Sequence, residues 1–84
     1  MGSSDLMGMV SSVNISAQTL VMNGFTVGAT SSTTYKSQGA TISAAAFWST
    51  VKVGSTVEAK GSATGSTFTA TQLELHGMGG GMGM

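Results

Sequence analysis

One imidazole, three carboxylates and many hydroxyls are a thin catalytic inventory for this 84-residue sequence, with His76 as the imidazole and Asp5, Glu58 and Glu74 as the acids. A Ser-His-acid set can be drawn with His76 and Glu74. The two alternate along one predicted strand and share its face, which is the arrangement of a solvated strand end and not of an isolated buried triad. With so few groups able to move a proton, the chain is expected not to be an enzyme. Adjacent Phe47 and Trp48 offer a stacking surface for a glycan, although in a small barrel such a pair more often fills the bottom of the core. The carboxylates of Asp5, Glu58 and Glu74 are the hard oxygen donors that calcium takes, each with help from main chain, Asn14 or Asn23. No EF-hand spacing is present, and Asp5, ahead of the first barrel strand, is the best placed of the three.

The softer donors lie at the chain ends. Seven Met, with Met-Gly-Met at 7–9 and again at 82–84 and His76 nearby, make a thioether and imidazole set suited to Cu(I). Thioethers pack more often than they ligate. As an extended strand, the segment from Met78 carries Met78, Met82 and Met84 on one face and Gly79, Gly81 and Gly83 on the other. Adaptable side chains then fill a neighbour's groove while the glycine face lets two backbones approach. Leu6, Met7 and Met9 supply the matching apolar positions at the other end. These residues, with Gly79, form the expected subunit interface. A terminal strand donated head to tail builds an open filament wherever the rotation does not close a ring.

The elements between the ends read as strands. Thr19–Val27 is two β-prone runs joined by Asn23-Gly24, a pair that suits a type I′ hairpin, with Leu20, Met22, Phe25 and Val27 on one face. A looser alternation from Met7 to Ile15 predicts a first strand leading into a turn at 16–18, and Thr30–Tyr35 predicts another ending near Gln38-Gly39. Ser43 before an Ala triplet marks the one short helix, about 43–51. Val57 and Ala59 point inward from a strand at 56–61, and 62–66 reads as a Gly-containing loop. In the last strand, Thr67–His76, the apolar phase slips from even positions (Phe68, Ala70) to odd ones (Leu73, Leu75), which predicts a β-bulge near Thr71-Gln72. The fold class is therefore all-β: a small five- to six-stranded OB-like antiparallel barrel with extended terminal segments. Its parts are an N-terminal arm at 1–7, the barrel at 8–76 and a Gly/Met-rich tail at 77–84.

Composition narrows the partners. Only 7% of residues are charged and the net charge is zero, while thirteen Ser and twelve Thr carry the polarity. Neutrality gives little resistance to self-association. With three Lys and no Arg there is no basic stripe for nucleic acid. No apolar run approaches the roughly 20 residues of a membrane span. The absence of Cys removes disulfides as a staple, so closure or oligomerisation must hold so small a core. The start shows no charged n-region or apolar h-region, and the chain reads as an exported product whose signal is already removed.

The run Val51-Lys52-Val53-Gly54-Ser55-Thr56-Val57-Glu58-Ala59-Lys60-Gly61, followed by Phe68-Thr69-Ala70-Thr71-Gln72-Leu73-Glu74-Leu75, resembles a family of secreted bacterial OB-like domains catalogued as a domain of unknown function. Leu20–Gly24 and Ser32–Tyr35 are similar to its hairpin and third strand. The resemblance spans roughly 8–76 and implies an exported barrel. The resemblance further implies kinship with subunits of extracellular fibres in which barrels join end to end, in some with calcium at the junctions. The expectation is a homopolymeric structural subunit of an extracellular fibre at the cell surface or in a matrix. A monomeric exported binding module for Cu(I) or a glycan is the alternative.

Overall fold

The computed structural model describes residues 4–78, with side chains up to His76. Its elements are β1 (Ser4–Asn14), β2 (Thr19–Met22), β3 (Phe25–Ser37), β4 (Ala40–Ile42), α1 (Ala44–Thr50), β5 (Ser55–Thr64) and β6 (Thr67–Met78). The sheet runs β2-β1-β5-β6-β3-β4, and a further β2–β3 pairing closes the first five strands into a barrel, with β4 added beyond β3. This is the expected OB-like, all-β architecture. One ladder departs from the antiparallel expectation: β3 and β6 run parallel, from Thr26↔Thr67 to Ser37↔Leu75. Parallel neighbours need a long crossover, and α1 with β5 provides it.

Local chemistry explains the joints. Asn23 and Gly24 have φ of 53° and 79°, the two positive values that a type I′ turn requires, and Gln38-Gly39 repeats the pattern at 52° and 89°. Ser43 caps α1 by accepting from Ala46 N at 3.1 Å. The expected loop at 62–66 contracts to a turn at Gly65-Ser66, because β5 runs on to Thr64. β1 likewise begins at Ser4, so residues 4–7 pair with β5 and do not form a separate arm. β6 extends past His76 to Met78, whose partner is Ser55.

Two bulges shape β6. Its register against β5 shifts between Lys60/Gly61 and again between Thr56/Val57, leaving Thr71 and His76 as the extra residues. The first bulge is the one the phase slip predicts, and it lets Phe68, Ala70, Leu73 and Leu75 all bury. The second, at His76, lies at the predicted end of the strand.

The core has its floor in α1. Phe47 and Trp48 are buried and stack edge to face at 5.1 Å, with Tyr35 at 5.2 Å from Phe47. They plug the barrel and offer no open stacking surface. Trp48 Nε1 donates to Tyr35 Oη at 3.1 Å in this buried setting. Tyr35→Phe leaves that N–H without its acceptor, and the expected loss is about 1–3 kcal/mol in urea unfolding; an unchanged midpoint would contradict the assignment.

Candidate metal centre and open sheet edge

β5 and β6 bring Glu58 and Glu74 directly opposite each other. Like charges in that relation oppose pairing, by up to about 1 kcal/mol. A third side chain comes close to both. As the extra residue of the second bulge, His76 is turned so that its Nε2 lies 3.0 Å from Glu58 Oε1 and 3.8 Å from Glu74 Oε1. Bulges commonly re-aim a side chain in this way. Glu74 is fixed from its other side, where Oε2 accepts from Gly39 N at 2.8 Å in the β3–β4 turn. The three donor atoms lie within 4.8 Å of one another, with both carboxylates half-buried and the imidazole at the surface. An imidazole and two carboxylates can share a proton or hold a divalent cation.

Of the three residues expected to ligate a metal, Glu58 and Glu74 therefore meet and Asp5 does not join them. Asp5 lies opposite Lys60 on β5, lining a shallow hollow with Ser4, Lys60, Gly61 and Thr71. His76 meets the carboxylates; of the soft donors expected with it, Met82 and Met84 lie outside the described residues. Sequence spacing linked His76 to Glu74; Glu58 is supplied by register, eighteen residues away from His76.

A second feature lies along β1. Residues 4–9 pair with β5, and the ladder to β2 begins only at Val10. Among the described residues, the outer edge of Ser4–Met9 thus has no partner strand. Met7 O accepts from Asn23 Nδ2 at 2.8 Å, which shows that the Met7 main chain faces outward and away from β5. Asp5 faces the same way by alternation. Met7 and Met9 stand 51% and 63% exposed beside this edge, while Leu6 turns inward against the core. Of the expected interface residues, Leu6, Met7 and Met9 are thus on or at an open edge and Met78 ends β6. Gly79, Met82 and Met84 lie outside the described residues.

No helix among the described residues is long and apolar enough to cross a membrane. No curated protein matches the chain. Among solved structures it is similar to the fimbrial biogenesis protein PilY2 from Pseudomonas aeruginosa PAO1, at 20% identity and a TM-score of 0.62, over 89% of this chain and 88% of that one. That likeness extends the barrel to a second protein. The matching family profile, described as Domain of unknown function (DUF5666), runs over residues 7–74, from Met7 at the open edge to Glu74 in the carboxylate pair, and the chain belongs to that family.

Proposed function

We propose that this protein is a non-enzymatic structural subunit of an extracellular fibre, in which each copy adds a terminal strand to the open edge of β1 on the next. The observation that carries this reading is the edge itself: six residues of β1 with one neighbour strand among the described residues, two of them exposed methionines. Such an edge is a template for strand addition, and proteins that remain monomeric blunt it with charge, Pro or a cover. Here the only charge on the open stretch is Asp5, and the chain as a whole is neutral.

The donor is the Gly/Met segment that follows β6. β6 ends beside Ser55, at the end of the barrel where Met9 faces Thr56. A strand leaving there can run along a neighbour, its methionines against Met7 and Met9 and its glycines allowing close approach. Donor and acceptor are different surfaces, so the contact is heterologous and propagates. The solved relative's printed role in fimbrial biogenesis agrees with a surface-filament setting. Function is then assembly and not turnover.

Removing Gly79–Met84 tests the donor. Full-length protein is expected to form filaments in negative-stain microscopy at neutral pH, with or without a calcium chelator, and the shortened chain is expected to be monodisperse with an unchanged far-UV spectrum. Filaments persisting without the tail would refute donation. Filaments that dissolve in the chelator would assign the junction to calcium, with Asp5 on the open edge as its carboxylate.

A further inference from the structure

We infer that Glu58, Glu74 and His76 form a zinc site, independent of the proposed filament contact. Three features carry it. The donor set is one imidazole nitrogen and two carboxylate oxygens, the ligand types zinc takes when three protein groups hold it and a fourth position stays open to water. Two carboxylates also balance the charge of the ion, which removes the repulsion that the Glu58–Glu74 register builds in.

The spacing is the second feature. Zinc bonds to N and O of about 2.0–2.2 Å at tetrahedral angles put neighbouring ligand atoms about 3.3 Å apart. The imidazole–carboxylate separations of 3.0 and 3.8 Å bracket that value. All three donor atoms lie within 4.8 Å of one another, so one ion requires the carboxylate ends to draw together.

The third is outer support. Metal ligands are usually oriented by a second hydrogen bond behind them. Glu74 has one: Gly39 N holds Oε2 at 2.8 Å and leaves Oε1 turned toward His76. His76 in turn is the extra residue of the second bulge, which sets the position from which its ring reaches both carboxylates. Calcium prefers an all-oxygen shell and makes poor use of the imidazole. Cu(I) prefers thioethers, and none of the three ligands is one.

Isothermal titration of the full chain with zinc chloride, and separately with calcium chloride, tests the site. One zinc per chain is expected, with His76→Ala and Glu58→Gln each weakening uptake by at least about tenfold. Both substitutions lie on partly exposed strand positions, and circular dichroism checks that each variant is folded. The chain lacking Gly79–Met84 should bind zinc as the parent does, which separates this site from the filament contact and from the tail methionines. In nitrogen-15 histidine spectra, the His76 Nε2 resonance should shift on zinc addition. The proposal is overturned by no stoichiometric uptake, by equal affinity in His76→Ala, by calcium binding as tightly as zinc, or by loss of uptake with the tail.

Discussion

Gly61→Ala is expected to unfold the barrel or bring it to the edge of unfolding. A Cβ built at Gly61 would stand 2.0 Å from Thr69 O and about 3 Å from Thr69 C and Ala70 Cα, all of them backbone atoms. A side chain can swing away from such a clash; a paired backbone cannot. Gly61 is clamped on both sides, by Ser4 of β1 and Ala70 of β6, beside the bulge at Thr71. Relief therefore means parting β5 from β6, the two strands that carry Val57, Ala59, Phe68, Ala70, Leu73 and Leu75 into the core. Overpacking alone costs about 1–3 kcal/mol, and opening this ladder adds to it. A domain of this length has a total stability of roughly 4–13 kcal/mol. We expect a loss of at least about 3 kcal/mol, seen as a fall in Tm of more than about 12 °C. Gly8→Ala is the internal control. Its Cβ would meet Asn23 Oδ1 at 2.5 Å, but that atom ends a side chain, which can rotate at the cost of the bond that Asn23 Nδ2 donates to Met7 O. A Gly61→Ala protein as stable as Gly8→Ala would contradict the close approach of β5 and β6.

Gly61 also shows where sequence reading stops. It lies at the end of a predicted strand and looks like an ordinary boundary residue, since nothing local says that a carbonyl from β6 will press against it. The features legible in advance are those encoded within a few residues. Asn23-Gly24 specifies its own turn, Ser43 its own helix start, and the slip from Phe68/Ala70 to Leu73/Leu75 its own bulge. The features missed depend on which strand lies beside which. β4 is three residues of ordinary composition, and it becomes a strand because the Gln38-Gly39 turn folds it back on β3. The parallel β3–β6 ladder leaves no trace in either strand's pattern.

The carboxylate cluster divides the same way. Alternation puts Glu74 and His76 on one face, and puts Glu58 outward on another strand. Only register makes Glu58 and Glu74 opposite neighbours, and only the second bulge turns His76 toward both. A bulge flanked on both sides by pairs of apolar residues can be read; one beyond Leu75, with only Gly77 and Met78 left in the strand, has too short a pattern after it to announce it.

Charging the open edge of β1 is the change expected to alter function most while sparing the fold. Met7 and Met9 are each more than half exposed in the single chain, so replacing both with Lys removes little packing from the barrel. In a filament the same side chains would be covered. Fully burying a Met contributes about 1.5–3 kcal/mol, and covering the half that remains contributes about 0.8–1.5 kcal/mol each, or about 1.5–3 kcal/mol for the pair. At 1.4 kcal/mol per factor of ten, the concentration needed for filaments should rise roughly ten- to a hundredfold. The added charge acts in the same direction, because Lys on an edge strand is one of the ways natural sheets prevent edge-to-edge pairing, and both new charges of an otherwise neutral chain would sit at the contact itself. Met7 also lies opposite Glu58, so Met7→Lys brings a cation next to the carboxylate pair. Met9→Lys alone, opposite Thr56, isolates the edge effect from that one. Sedimentation of each variant over a range of concentrations reads the result. Soluble Met7→Lys/Met9→Lys protein with the parent's Tm is the expected outcome, with Met9→Lys intermediate. Filaments forming at the parent's concentration would show that the β1 edge is not the acceptor and that neutrality alone does not drive assembly through it.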